Sequence, residues 1–407
     1  MVERVNRKVR VAKRVSEVRY AIRDLIAPVR ELEKKGRRIL YLNIGDPLKY
    51  DFDTPGHIKE ALNKAVAEGK NWYSASEGLP ELREAICEKE KRFNNVDITP
   101  DDVIVTAGVS EAINFLFGAL VEPGDEVLLP GPTYQPYISF ARFYGAKVFA
   151  YRTIEEEGWE VDVDDLRSKI TDRTKLIVII NPNNPVGSVY GADRLKEVLD
   201  VAGEHGIPVA ADEMYDRIVY EDCFTSVASL TEDVPVIGLN GFSKVYLMTG
   251  WRLGYVYFKD PEGVLTQLKE AMVKEARIRL CANTPVQVAA VEALRGPQDH
   301  VDRMVSKLRK RRDIAYKRLN EMDGISAVRP KGTFYIFPKV DAVGRVWKTD
   351  KDFVLNLLHE EGVLVVHGSG FGVEYGSGHF RAVFLPPPDV LNEAFDRLEA
   401  FMKRHLG

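Results

Sequence analysis

The chain has 407 residues, enough for about two to three domains at roughly 100–200 residues each. It sets 57 Lys+Arg against 61 Asp+Glu, a net charge of −4, which argues against nucleic-acid binding through bulk positive charge. Three scattered cysteines (Cys87, Cys223 and Cys281) supply neither a disulfide framework nor a Cys-rich zinc site, and they suit a reducing compartment. No apolar run approaches the roughly 18 residues of a membrane span. The expectation is a soluble, cytoplasmic protein with a full hydrophobic core.

Residues 1–19 are basic, with Arg4, Arg7, Lys8, Arg10, Lys13, Arg14 and Arg19 among valines at 2, 5, 9, 15 and 18. That spacing could make a basic amphipathic helix for a membrane or partner. The plainer reading, a solvated helix or arm packed on the body, is preferred. Val103–Thr106 is a β-rich run, followed by helical spacing over 110–120. Further strands are expected at 126–129, 147–151, 176–180, 208–211 and 234–239, with a helix over 194–205 between two of them. Short apolar strands alternating with helices indicate a mostly parallel sheet buried on both faces. A strand at 252–258 and helices over 261–277 and 299–321 follow. Strands at 332–337, 364–366 and 380–384, separated by helix and a Gly-rich loop, close the chain. The expected organisation is a large α/β domain over 54–315, with a smaller α+β domain built from 1–53 and 316–407.

In such sheets, ligands sit at the carboxyl ends of the strands. Four strand ends carry informative residues. Val103–Thr106 leads into Ala107-Gly108-Val109-Ser110 and a helix start, a seat for an anion, although Ser110 could equally be a helix cap. The strand ending at Ile180 leads into Asn181-Pro182-Asn183-Asn184-Pro185-Val186-Gly187, a rigid turn that leaves amide side chains at the ligand end. The next ends in Asp212-Glu213-Met214-Tyr215; a buried Asp there needs a partner, or else caps a helix. The last leads into Ser243-Lys244, with Arg252 eight residues on. A lysine at a strand end can act as a Schiff-base amine, and an arginine fork suits a phosphate dianion. Together these are the parts that hold pyridoxal phosphate (PLP): an amine for the aldehyde, an Asp for the ring nitrogen, Asn and Tyr for the ring hydroxyl, and a phosphate grip.

The chain resembles the class I aminotransferases of the fold-type I PLP enzymes, and within them the alanine aminotransferase-like branch. The motifs are NIGDP (43–47), YSASEGLPELREAI (73–86), NPNNPVG (181–187), ADEMY (211–215), GFSKVYLMTGWRLGY (241–255) and VVHGSGFG with GHFRAVFLPPP (365–388). The resemblance runs from about Tyr20 to the C-terminus. It implies an α/β fold, with a large mostly parallel sheet flanked by helices and a smaller α+β domain. Lys244 matches the Schiff-base lysine that also shuttles the substrate proton. Asp212 matches the partner of the ring nitrogen, and Tyr215 and Asn184 match the residues at the ring hydroxyl. Gly108, Val109 and Ser110 match the phosphate turn, completed by Ser243 and Arg252. Tyr134 matches the aromatic stacked on the ring. Tyr73 matches a tyrosine that reaches the neighbouring subunit's phosphate, which implies a homodimer with shared sites. Arg381 matches the clamp on the substrate α-carboxylate, with Gly45 at the edge of that pocket and Asn184 beside it. Val186 stands where the family usually has threonine, Val109 can offer only its backbone amide, and residues 1–11 lie beyond the match.

The resemblance implies a ping-pong aminotransferase, foremost L-alanine with 2-oxoglutarate giving pyruvate and L-glutamate. Other amino acids (aspartate, aromatic, branched-chain) or a PLP-dependent C–S lyase are the alternatives. A PLP-binding regulator is disfavoured: regulators that resemble this family usually carry a separate DNA-binding domain, and the residues here ahead of 54 match the enzyme's own N-terminal segment. Arg23, Arg277 and Arg279 are basic candidates for a second substrate carboxylate, and Tyr20 is a candidate to close the pocket. Gly368-Ser369-Gly370-Phe371-Gly372 has the spacing G-x-G-x-G ahead of a strand, so it reads as the loop leading to Arg381 and not as a dinucleotide loop. The sequence contains neither HExxH nor GxxxxGK[ST], and no metal, nucleic-acid or membrane partner is expected.

Overall fold

In the computed structural model, residues 9–18, 25–221 and 223–407 are described. An eight-stranded sheet organises the chain. Its strands are β1 (Val103–Thr106), β2 (Glu126–Gly131), β3 (Lys147–Ile154), β4 (Glu160–Val161), β5 (Thr174–Ile180), β6 (Val209–Asp212), β7 (Val236–Gly241) and β8 (Gly254–Lys259). Their spatial order is β1-β8-β7-β6-β5-β2-β3-β4. The pairs β2–β3, β2–β5, β5–β6 and β6–β7 are parallel, whereas β8 runs antiparallel to both its neighbours and β4 to β3. The sheet is therefore mixed but mostly parallel, as the alternation of strands and helices predicts.

The central strands are apolar throughout because helices cover both faces. Leu176, Ile177, Val178 and Ile179 of β5 are wholly buried, as are Val209, Ala210 and Ala211 of β6. Register then places the site. Ile180 lies opposite Asp212, and Asp212 opposite Leu239. Thr106 lies opposite Gly254, which also pairs with Gly241. The carboxyl ends of β1, β5, β6 and β7 thus finish in adjacent rows, and the polar segments after them emerge on one edge.

Smaller sheets come from the other segments. Leu40–Tyr41 pairs parallel with Val363–Leu364, and Tyr335–Ile336, Phe380–Val383 and Val366–His367 form a three-stranded antiparallel sheet. The boundary expected at residue 315 falls inside one continuous helix, Asp299–Asn320. The helix expected over 261–277 begins later, at Thr266. The Asp260 carboxylate accepts the N–H groups of Val264 and Leu265, which holds residues 261–265 as a turn. The strand expected over 332–337 shrinks to two residues, and Thr333 in the left-handed region (φ 60°) interrupts its start. In the basic segment, Lys13–Glu17 forms a short 3-10 turn instead of an amphipathic α-helix; it lies against helix Gln135–Phe143, with Arg14 over the Phe143 ring. Tyr20 and Arg23 lie outside the described residues. Among the described residues, no helix is long and apolar enough to cross a membrane.

Candidate active site

A cavity of about 430 Å³ opens at the shared edge of the strand ends. Ten of the expected residues line it: Gly45, Val109, Ser110, Tyr134, Asn184, Tyr215, Ser243, Lys244, Arg252 and Arg381. Gly108 and Asp212 are not in that lining, but Gly108 adjoins Val109 in the chain and Asp212 accepts the N–H of Met214, and both of these line it.

Lys244 follows β7. Its Nζ donates to the Gly45 carbonyl at 2.6 Å. Burial pushes the ammonium pKa down to about 8, helped by the Arg381 and Arg252 charges and opposed by Asp46. A lysine of that acidity is partly neutral near pH 7 and can act as base or nucleophile.

Asp212 ends β6 and is 5% exposed. Tyr137 donates its hydroxyl to Oδ2 at 2.8 Å, and the Met214 N–H donates to Oδ1 at 3.2 Å. Burial raises the carboxyl pKa to about 6, and the two donors only partly offset this. No cation pairs with Asp212 among the described residues, so a protonated ring nitrogen is the counter-charge its environment suits.

At the opposite end, helix Val109–Leu120 begins directly after Gly108, whose φ of 83° disfavours any side chain. The first-turn amides of Val109 and Ser110 have no partner within the helix and face an anion site by construction. Arg252 packs onto Gly108: a Cβ there would lie 2.5 Å from the Arg252 Nη2. The Thr249 carbonyl accepts from its Nη1 at 3.1 Å and the Ala107 carbonyl from its Nη2 at 3.4 Å. Among the described residues no carboxylate pairs with Arg252. Arginine, amides and Ser110 make a donor set for a dianion.

Arg381 is the most deeply buried charge in the cavity, 1% exposed. Its Nη1 donates to Asn184 Oδ1 at 3.0 Å and its Nη2 to the Asn43 carbonyl at 2.8 Å. The guanidinium lies between the rings of Tyr335 (4.4 Å) and Phe371 (4.7 Å). Its Nε has no partner, and no carboxylate of the described residues reaches it. A buried, uncompensated guanidinium is costly unless an anion binds there.

The departure at Val186 has a packing account. Its N–H closes the Asn183 turn, and its side chain joins Trp159, Phe337, Val366 and Phe371 in a small apolar cluster. Tyr73 does not line the cavity; it is 79% exposed. Arg277 and Arg279 do not line it either. Arg277 pairs with Glu77 at 3.3 Å and Arg279 with Glu111 at 3.4 Å, so both are tied to the protein's own carboxylates.

Sequence reasoning missed Tyr335, Tyr137, Asp46, Thr249, Ile44 and Met214. Thr249 donates to Asp46 at 2.8 Å, which ties the first segment of the chain to the Lys244 loop. Tyr137 sits three residues after Tyr134 on a helix, and that spacing was the one available signal for it. Tyr335 meets Tyr215 and Arg381, which are remote in sequence, and locally Asp46 shows only as the cap of the turn Pro47–Lys49.

The arrangement offers an amine of lowered pKa, a buried carboxylate for a ring cation, a dianion seat and a carboxylate clamp. The model of the family described as aminotransferase class I and II matches residues 37–398. The chain is 37% identical over 399 residues to an alanine aminotransferase of Mycobacterium tuberculosis (strain ATCC 25618 / H37Rv), covering 96% of this chain and 91% of that one. It is 36% identical over 395 residues to the glutamate-pyruvate aminotransferase AlaA of Escherichia coli (strain K12), covering 96% of each. The solved structure of an alanine aminotransferase from Pyrococcus furiosus is 60% identical, with a TM-score of 0.95, and the match covers 97% of this chain and 100% of that one. Family model, near-complete coverage and site geometry agree, and the chain belongs to the class I and II aminotransferases.

Proposed function

We propose that the protein is a PLP-dependent alanine aminotransferase, moving the amino group of L-alanine to 2-oxoglutarate to give pyruvate and L-glutamate by a ping-pong route. The observation that carries this is the pairing, in one cavity, of a low-pKa Lys244 with a buried Arg381 that has no anionic partner among the described residues. The identity to enzymes named for alanine supports the choice of donor.

When bound, the cofactor supplies an electron sink that acidifies the substrate Cα–H. The rest of the work falls to the chain. Arg252, Ser110, Ser243 and the amides of Val109 and Ser110 hold the phosphate, with Gly108 leaving room for Arg252. Asp212 keeps the ring nitrogen protonated, and Tyr137 orients that carboxylate. Tyr134, Tyr215 and Asn184 line the same cavity, where Tyr134 would pack on the ring and Tyr215 and Asn184 would serve its hydroxyl. Arg381 and Asn184 fix the α-carboxylate beside Gly45, which presents Cα to Lys244. Lys244 Nζ then takes the Cα proton.

The reading includes a homodimer. Trp72, Tyr73, Ile278 and Leu280 are all more than half exposed in the single chain. The 72–77 segment also packs against the 277–287 segment, through Thr284 to the Trp72 carbonyl, Gln287 to Ser74 and Arg279 to the Ser76 carbonyl. Large apolar side chains gathered this way support an interface there. It also includes the division into a large unit over 54–315 and a small one from 1–53 and 316–407, and a cytoplasmic location that suits three free cysteines.

The test is an absorbance titration of the purified protein. L-alanine should bleach the visible cofactor band and 2-oxoglutarate should restore it. A band indifferent to alanine, but bleached by aspartate or an aromatic amino acid, would move the substrate. Pyruvate and ammonia released without any keto-acid acceptor would favour the lyase. A protein that takes up no PLP, or a Lys244→Ala variant that turns over normally, would overturn the assignment.

A further inference from the structure

Tyr335 enters the cavity from the small C-terminal sheet and touches three parts of the site at once. Its hydroxyl lies 2.9 Å from the Tyr215 hydroxyl. Its ring lies 4.4 Å beneath the Arg381 guanidinium. That hydroxyl also occupies the space a side chain at Gly45 would need: a Cβ there would sit 2.0 Å from it. Both tyrosines are nearly inaccessible, at 3% and 4%, and the Phe334 ring stands edge-on to Tyr215 at 5.4 Å.

Each phenol has one proton to donate. Across a single O···O contact only one of the two protons lies between the oxygens. If Tyr215 donates to Tyr335, its proton is spent there. If Tyr335 donates, the Tyr215 proton is left to point into the cavity. The Arg381 charge over the Tyr335 ring withdraws electron density from that phenol and makes it the better donor. Donation into Tyr215 then polarises the outgoing Tyr215 O–H, because hydrogen bonds in series strengthen one another in a dry site.

We propose that Tyr335 is a positioning residue that donates to Tyr215 and thereby turns and strengthens the Tyr215 hydroxyl as a donor to the cofactor's ring oxygen. The inference rests on the cofactor reading above. It assigns Gly45 a second role, since only a residue without Cβ leaves room for the Tyr335 hydroxyl.

The test is a pH titration of the visible band of cofactor-loaded enzyme, comparing wild type with Tyr335→Phe, which removes one oxygen and keeps the ring under Arg381. Without the Tyr335 donor, Tyr215 donates less strongly. The ring oxygen then carries more negative charge and holds the neighbouring imine proton more tightly. The midpoint should rise by about 0.3–1 pH unit, with KM for alanine within about threefold. In a Tyr215→Phe background the same substitution should add no further shift. Tyr335→Leu should raise the midpoint similarly but also raise KM, because it removes the ring from Arg381. A Tyr335→Phe midpoint equal to wild type, or a full shift that persists without the Tyr215 hydroxyl, would overturn the inference and leave the cofactor reading standing. A wild-type protein with no titrating band would overturn the cofactor reading itself.

Discussion

Replacing Arg381 tests the substrate clamp directly. Arginine carries five N–H donors. Two are committed inside the protein, to Asn184 Oδ1 and the Asn43 carbonyl, and the buried Nε has no partner. Three N–H groups remain, enough to give a carboxylate two charge-assisted bonds. At about 1.5–3 kcal/mol each, the pair contributes roughly 3–6 kcal/mol. Arg381→Met should then lower kcat/KM for L-alanine by about 10²–10⁴-fold. Arg381→Lys keeps the charge but has three donors; with two held by Asn184 and Asn43, one remains, and the loss should be about 10–10²-fold. The carboxylate is gripped alike before and during reaction, so the loss should fall mainly on KM. The assay is initial rates over a range of L-alanine at saturating 2-oxoglutarate. Ethylamine, which lacks a carboxylate, should react equally slowly with wild type and variants. A Met variant within about threefold of wild type in kcat/KM would refute the clamp, as would a loss confined to kcat.

The remaining predictions concern ionisation, packing and assembly. Lys244 has a folded pKa of about 8 against an ordinary 10.5, so between those values the unfolded chain holds more protons and stability rises with pH. Chemical denaturation of cofactor-free protein should show wild type gaining on Lys244→Met over that window, by about 3 kcal/mol at most; a flat difference would contradict the depressed pKa. Asp212 runs the other way. Its folded pKa of about 6 lies above the ordinary 3.8, so cofactor-free wild type should lose stability relative to Asp212→Asn as pH rises from about 4 to 6, again by about 3 kcal/mol at most. Gly45→Ala should destabilise by about 1–3 kcal/mol through the clash with the Tyr335 hydroxyl, and calorimetry of the Gly45→Ala, Tyr335→Phe double variant should show part of that cost relieved. Sedimentation equilibrium should give twice the chain mass, and Leu280→Asp should shift the protein toward monomer while weakening PLP retention; a monomeric wild type would remove Tyr73 from any shared site.

The strands that carry the site were legible because each is a continuous apolar run ended by a polar turn. Val103–Thr106 matches the expected span residue for residue, and β6 and β7 end within two residues of their expected positions. Strand β4, Glu160–Val161, has only two residues and no pattern to read. Turns held by side chains were the second blind spot: the Asp260 carboxylate competes with the helix start at 261, and periodicity does not see that competition. Arg277 and Arg279 illustrate a third. Two arginines in the last turn of Thr266–Arg279 suit the helix end, and Glu77 and Glu111, the acids that neutralise them, come from other elements.

The site divides along the same line. Lys244, Asp212, Asn184 and Ser110 follow strand ends, so one local rule finds them all. Arg381 and Gly45 come from outside the large sheet, and only the resemblance pointed to them. Asp46 and Thr249 lay within quoted motifs without an assigned role and Tyr335 lay in none, yet they join the two parts: Thr249 binds Asp46, the Gly45 carbonyl accepts from Lys244, and Tyr335 bonds Tyr215 while lying under Arg381. Lys244 and Gly45 are 199 residues apart in the chain. The large sheet therefore brings the cofactor residues to one edge, and contacts between distant segments then orient them and build the substrate clamp. Substitutions at such contact positions, Tyr335 above all, should alter cofactor electronics while leaving the pairing of the large sheet intact, because none of these residues lies in its eight strands.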